Sequence, residues 1–501
     1  MKGFKLFNKR EVKYNLKKLK QQKIIFTYLI LQFFLLIYLN SKIKVLDWDA
    51  LSYILNAKTI IGLENYFEWH RPPLYQIILA IFFKVLGYTE QLARIISVSL
   101  SVMSYYFFYL LVSKLSNEKT ALKSTLIFTN LPLIIYWGPR MYSEIPSLGL
   151  MSLSLYYLVR YVKETRDKKK NITKHGIVMG LAMLMRYTSL LVLPISLMIL
   201  WHERKLNKKY VRGLIGFSVV VVPWLLFNYL NTKSFTYSMN IANYQASVFI
   251  PSFLNYYAQR LNHIFTYPIL LLVAGYLFYF FIKNIKNNAT ELYYKKDLAT
   301  FSGVILLVSF LLYYQAWLNL KDTRYIVPVL IGFSVLAGLG FEKLSEKYKL
   351  LQKTFLILFF TLPLITVGVA QNFFVSCEDY IALGNEISVL KEGMVATPTW
   401  PYVTYYSNKT GKWLPHTYEN LLKETQTFGV KNVLVYERSI EPAWATTQFF
   451  DNVTEFVKIK EVSGCYGSAS IYEYVGESKK DLKFEDNVVN SFAFTPLKIF
   501  N

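Results

Sequence analysis

The chain has 501 residues, of which 53% are hydrophobic, 17% aromatic and 18% charged, and its formal net charge is +24. Residues 1–372 hold 44 Lys and Arg against 16 Asp and Glu, whereas residues 373–501 hold 12 against 16. Because soluble proteins carry about a quarter charged residues, this pattern excludes a single soluble globule and a disordered basic tail. It also argues against nucleic acid as a partner, since the basic part is the apolar part. The reading is a polytopic α-helical membrane protein with a small, mildly acidic C-terminal domain.

Residues 2–23 form a tail with nine Lys/Arg and one Glu. No small-residue cleavage site follows the first apolar run, so no signal peptide is read here. Apolar runs of membrane-spanning length recur at 24–39, 95–112, 121–137, 145–161, 213–230, 264–282, 300–318, 326–341 and 354–371. Shorter runs lie at 74–86 and at 176–201, the latter interrupted by Arg186. The positive-inside rule places the N-terminus in the cytoplasm, together with the basic connectors at 163–174, 204–212, 283–296 and 343–353. For both connectors flanking 176–201 to be cytoplasmic, that run must turn back on itself near Arg186 and Tyr187. The run 74–86 contains Lys84 and is read as juxtamembrane or re-entrant. About eleven crossings result, with the domain 24–372 in the membrane and residues 373–501 outside the cytoplasm.

Two long segments then face outward, 41–73 and 231–263, the second read as a mobile polar and aromatic loop. The first carries Asp47, Asp49, Glu64 and Glu68. A carboxylate pair can hold a cation or deprotonate a hydroxyl, although a lone Asp-x-Asp is usually an ordinary solvated loop. The segment ends in His70-Arg71-Pro72-Pro73-Leu74-Tyr75. Here a guanidinium suited to bidentate phosphate binding precedes a rigid helix entry; an interfacial snorkelling Arg is the plainer alternative. A short outer loop, Gly138 to Glu144, puts an acid at the mouth of a helix, and Arg186 lies within an apolar run. Ionisable groups in such places are expensive and usually functional. Lys321 to Tyr325 forms a last outer loop.

From Glu378 onward, helix patterns (381–391, 418–429) alternate with strand patterns (393–397, 432–436, 468–474), giving a small α/β domain. It shows no Gly-rich phosphate loop and no triad signature. The sequons at Asn408 and Asn452 and the two cysteines, Cys377 and Cys465, lie in this domain. A disulfide is compatible with an external location, but sequence does not show that the two are close.

Several elements, taken in order, resemble a known superfamily. They are Asp49 with Tyr53 and Ala57, Arg71 to Leu74, and Gly87 with Ala93-Arg94. Glu144 to Pro146, Arg186-Tyr187 and Arg324-Tyr325 with Pro328 follow. Residues 24–372 are similar to membrane glycosyltransferases of the GT-C fold, in the branch of dolichyl-phosphate-mannose protein mannosyltransferases and bacterial aminoarabinose transferases. Such a resemblance implies a donor sugar on a polyprenyl or dolichyl phosphate and a hydroxyl acceptor on a protein, a lipid-linked glycan or an envelope glycan. It implies inverting displacement at the outer face of the membrane, with the bilayer and the carrier lipid as partners. Asp49 is then the expected base, with Asp47 and Glu144 as the other catalytic carboxylates. Arg71 and Arg186 are expected on the donor phosphate, with Arg324 and Arg94 after them. Tyr53, His70, Tyr75 and Tyr187 are expected substrate contacts. A divalent cation (Mg or Mn) shared by Asp49, Asp47 and Glu144 is left open. The chain departs from the family in having Ala50 after Asp49, where Asp-Glu is common, and Glu144 where Asp is common. Both departures leave the identity of the base open. The alternative is a transporter or flippase, which predicts repeated halves with broken helices; no internal repeat is visible.

Overall fold

The structure is a computed structural model. It describes residues 9–64, 66–248, 257, 264–286, 297–313, 323–348, 350, 352–354, 357, 361, 379–390, 393–436, 442, 444–464 and 467–476. Two compact units divide the chain. One comprises Met1–Ser41, Trp69–Tyr75 and Thr89–Gln371; the other comprises Lys42–Glu68, Gln76–Tyr88 and Asn372–Asn501.

The first unit is helical, with helices at Lys9–Ser41, Glu90–Leu115, Glu118–Thr129, Glu144–Lys163, Lys168–Met185, Val192–His202, Val211–Thr232, Tyr267–Lys286, Leu298–Leu312 and Val329–Lys347. Three stretches among the described residues are long and apolar enough to cross a membrane: Gln22–Ser41, Glu90–Leu115 and Lys208–Thr232. Their outer faces remain apolar, with Phe34, Val219 and Leu230 all well exposed. Water would penalise such a face, and lipid does not. The chain is an α-helical membrane protein.

Small residues set the tightest helix crossings. A Cβ added at Gly149 would lie 2.6 Å from the Ser104 Cα, and one at Gly176 would lie 1.8 Å from the Gly213 carbonyl oxygen. In lipid, where apolar burial between helices gives little drive, such close backbone approach supplies the packing attraction. The predicted run 121–137 is two helices, because the first ends at Thr129 and Pro132 opens the next (Pro132–Trp137). The predicted break near Arg186 is present. One helix ends at Met185, Arg186 is extended, and a 3-10 turn over Tyr187–Leu191 leads into the next helix. The segment read as a mobile loop contains a helix, Tyr237–Val248. Ser238 donates to Asn228 Oδ1 over 2.7 Å, and Trp69 packs between Phe227 and Tyr237, which seats that helix on the preceding one. Most of 354–371, and Lys321 and Asp322, lie outside the described residues.

The second unit has a five-stranded sheet in the order β2-β1-β3-β5-β4, with β1 Met394–Thr397, β2 Gly411–Trp413, β3 Val430–Tyr436, β4 Phe456–Gly464 and β5 Gly467–Tyr474. β1 runs parallel to β2 and β3, while β5 is antiparallel to both β3 and β4. Each parallel connection carries a helix, Trp400–Ser407 and then Tyr418–Thr427. Alternate residues of β3 feed opposite faces: Val433 and Val435 join Leu421 and Phe450, whereas Leu434 and Tyr436 join Leu383 and Val403. The helix Trp48–Ile60, within the segment predicted as the first outer loop, packs against Trp400–Ser407. Cys377 and Cys465 lie outside the described residues.

Candidate active site

In the first unit, three of the predicted site residues come together. Glu144 opens the helix Glu144–Lys163, where the positive end of the helix dipole favours a carboxylate. The side chain is buried and forms an ion pair with Arg186 Nη1. Arg186 is delivered by the helix break: its extended backbone ends the regular ladder and turns the side chain toward the acid. Its guanidinium also lies 5.2 Å from the centroid of the Tyr325 ring, and Arg324 lies 4.9 Å from the same ring. Arg324 Nη2 donates to the Tyr325 hydroxyl over 3.1 Å, and its guanidinium sits 5.8 Å from the Tyr142 ring. Tyr142 meets Trp137 edge to face at 5.0 Å.

The same loop brings a residue to which the sequence reading gave no role. Arg140 is buried, with its guanidinium 4.3 Å from the Tyr136 ring and 5.7 Å from Trp137. Its signal was its place in Gly138 to Glu144, four residues before the acid. The named groups thus form one chain of contacts that starts at the Glu144 carboxylate and in which three guanidinia alternate with aromatic rings. Stacked guanidinia are held flat by the rings and keep their edges for hydrogen bonding to anions.

Arg94 is placed differently. It pairs with Glu90 over 2.7 Å, and its Nη1 donates to the Asn40 side-chain and backbone oxygens over 2.9 and 3.1 Å. The Asn40 amide in turn donates to the Pro139 carbonyl. Arg94 therefore braces the loop that carries Arg140 and Glu144. Tyr187 accepts a hydrogen bond from Trp224 Nε1 at 3.3 Å. Arg71, His70 and the buried Tyr75 belong to the same unit, in a segment seated by Trp69.

Asp47, Asp49 and Tyr53 belong to the second unit. Asp47 is the N-cap residue of Trp48–Ile60, Asp49 lies in its first turn, and Asp49 and Tyr53 are buried. The helix displays a polar stripe at helical spacing: Asp49, Ser52, Asn56 and Thr59. Ser52 donates to Glu68 Oε1 over 3.0 Å, Asn56 Oδ1 accepts the Glu68 backbone N–H at 2.8 Å, and Thr59 bonds the Tyr66 backbone. Glu68 and Tyr66 were not singled out as site residues, although that stripe was visible in the sequence. Among the described residues no group of three or more His, Cys, Asp or Glu side chains could hold a metal ion. No metal step is therefore assigned to Asp47, Asp49 and Glu144.

Comparison with known proteins places this architecture. A family model for dolichyl-phosphate-mannose-protein mannosyltransferases matches residues 70–227. The structure of ArnT from Cupriavidus metallidurans bound to undecaprenyl phosphate matches with a TM-score of 0.64 at 12% identity, covering 90% of this chain and 97% of that one. The fold is GT-C. The archaeal oligosaccharyltransferase AglB from Archaeoglobus fulgidus, in complex with an inhibitory peptide and a dolichol-phosphate, matches with a TM-score of 0.60 at 10% identity, over 83% of this chain and 70% of that one. An uncharacterised protein from Aquifex aeolicus (strain VF5) is 25% identical over 293 residues, and the match covers 58% of this chain and 65% of that relative's length. Within the GT-C frame, the Glu144–Arg186 pair lies in the part of the chain that the family model covers.

Proposed function

We propose that the protein is a membrane glycosyltransferase that moves a sugar from a polyprenyl phosphate to a hydroxyl acceptor at the outer face of the membrane. The observation that carries this reading is the cluster of Glu144, Arg186, Tyr325 and Arg324 in a GT-C fold. Two solved structures of the same fold contain undecaprenyl phosphate and dolichol-phosphate, which supports a carrier lipid of that chemistry.

The step is a single displacement. The Asp49 carboxylate takes the proton of the acceptor hydroxyl, and the acceptor oxygen bonds to the anomeric carbon. The bond from that carbon to the phosphate oxygen breaks with inversion, and the polyprenyl phosphate departs with the electron pair. Negative charge grows on the leaving phosphate, where Arg186, Arg324 and Arg71 stabilise it. Preorganised charge aimed at developing charge is usually the largest contribution to such a rate. Glu144 holds Arg186 in place. Tyr53, His70, Tyr75 and Tyr187 contact the substrates, and the acceptor is a glycan or a protein. The basic connectors and the acidic C-terminal domain support a multi-pass protein of the cell membrane with its N-terminus in the cytoplasm and its C-terminal domain outside.

Binding of undecaprenyl phosphate to the purified protein tests the arginine assignment. Arg186→Ala and Arg324→Ala are each expected to weaken binding about tenfold or more, in line with a charge-assisted hydrogen bond of roughly 1.5–3 kcal/mol. Unchanged affinity in both variants would remove these residues from the donor site.

A further inference from the structure

Glu68 lies in the second unit with its carboxylate buried, and its hydrogen bonds form a directed chain. The Trp400 indole N–H donates to the Tyr66 hydroxyl over 3.1 Å, and the Tyr66 hydroxyl donates to Glu68 Oε1. Ser52 donates to the same oxygen over 3.0 Å. The Tyr66 hydroxyl has one hydrogen and gives it to Glu68 while it accepts from the indole.

Ser52 is also 3.0 Å from the backbone oxygen of Trp48. That carbonyl belongs to the peptide unit whose N–H is that of Asp49. The Ser52 hydrogen thus has three acceptors within reach, Glu68 and the Trp48 carbonyl at 3.0 Å and the Tyr66 hydroxyl at 3.3 Å. When a serine hydroxyl bonds back to the carbonyl four residues earlier, it bends the helix at that turn. Here that turn carries Asp49.

The surrounding contacts run the same way. Trp48 meets Trp400 edge to face at 4.4 Å, and Trp400 packs on Trp413 at 4.4 Å. The Leu46 N–H donates to the Tyr406 hydroxyl over 3.2 Å, and the Tyr88 and Tyr405 hydroxyls are 2.6 Å apart. Trp400, Tyr405 and Tyr406 all lie on the helix Trp400–Ser407 of the α/β fold. One helix of that domain therefore grips the segment ahead of Asp49, the helix that bears it, and Tyr88.

We infer that Glu68, with Tyr66 and Trp400, is a positioning relay through which the C-terminal α/β domain fixes the helix turn that carries Asp49. The inference rests on Asp49 being the base. It gives the C-terminal domain a part in the chemistry without a residue of that domain touching substrate. By drawing the Ser52 hydrogen away from the Trp48 carbonyl, Glu68 keeps the first turn straight.

The test uses the full chain in liposomes, with radiolabelled mannosyl and aminoarabinosyl undecaprenyl phosphate as probes, and amide hydrogen exchange over residues 48–60. Glu68→Ala is expected to lower kcat about a hundredfold with KM moved less than about threefold, because small misplacements of a reacting group have effects of that size. Glu68→Gln keeps an oxygen acceptor and restores most of the loss. Tyr66→Phe and Trp400→Phe, which keep their rings, each lower kcat about tenfold. All but Glu68→Gln raise exchange in the first turn of the helix. A merely structural role would instead reduce the amount of folded protein at unchanged kcat per folded molecule, and that result would overturn the relay. Unchanged exchange at 48–60 in Glu68→Ala and Trp400→Phe would overturn it for any donor sugar. If Asp49→Asn retains full activity while the exchange changes appear, the base assignment fails and the mechanical linkage stands.

Discussion

At the scale of single residues, the buried Arg94 and the half-buried Arg186 look alike in sequence and differ in what they hold. Arg186 pairs with a helix-opening acid beside a tyrosine shared with Arg324, whereas Arg94 is tied to Glu90 and Asn40 and supports the Pro139 carbonyl. Both were expected on the donor phosphate, because sequence shows that an arginine is present and not which oxygen it reaches. The difference predicts opposite phenotypes. Arg94→Gln is expected to lower the melting temperature, because the half-buried pairing with Glu90 and the charged hydrogen bonds of the loop brace are lost at about 1.5–3 kcal/mol, while affinity for undecaprenyl phosphate changes less than about threefold. Thermal unfolding and lipid binding on the same preparation check it, and a tenfold loss of affinity at unchanged melting temperature would place Arg94 at the donor site. Arg140 shows the converse. Its guanidinium joins the aromatic cluster, yet its neighbours in sequence, a proline and a methionine, carry no sign of it.

At the scale of elements, the sequence was most legible where chemistry breaks periodicity. The helix stop at Met185 coincides with the charge of Arg186, and Pro132 divides a run that hydropathy alone reads as one helix. The strands β1, β3 and β5 were legible from their β-branched and aromatic residues. β4 was not, since it is an edge strand bearing Lys458 and Lys460, with a register shift between them that spoils alternation. The helix Trp48–Ile60 was hidden by its setting, a polar segment between apolar runs, although Asp49, Ser52, Asn56 and Thr59 recur with its period. Close helix crossings were invisible to hydropathy and are open to a direct test. Gly176→Val would drive a side chain into the Gly213 backbone and is expected to destabilise the fold by about 3 kcal/mol or more. Gly62→Ala, at φ +79° with nothing within 4 Å, is expected to cost only about 1–2 kcal/mol of backbone strain. Equal losses in thermal or denaturant unfolding would contradict the packing argument.

For the molecule as a whole, the net charge of +24 separates by region. The basic connectors bear on orientation, while in the unit that also holds Arg71 the Glu144–Arg186 pair is linked through aromatic rings to Arg324 and Arg140. The second unit joins the Asp49 helix to an α/β sheet through buried hydrogen bonds, so Asp49, the proposed base, and the sheet domain belong to one folded body. In the proposed transfer, a phosphate has to be held and a hydroxyl deprotonated. Transfer of label from radiolabelled mannosyl or aminoarabinosyl undecaprenyl phosphate into a non-lipid or glycolipid product tests this most directly, with wild type and Asp49→Asn compared in the same liposomes. The account predicts transfer by the wild type with release of undecaprenyl phosphate, and a loss of about a hundredfold to ten-thousandfold in kcat for Asp49→Asn, the range expected for removal of a general base. Wild-type kcat retained by Asp49→Asn would contradict it.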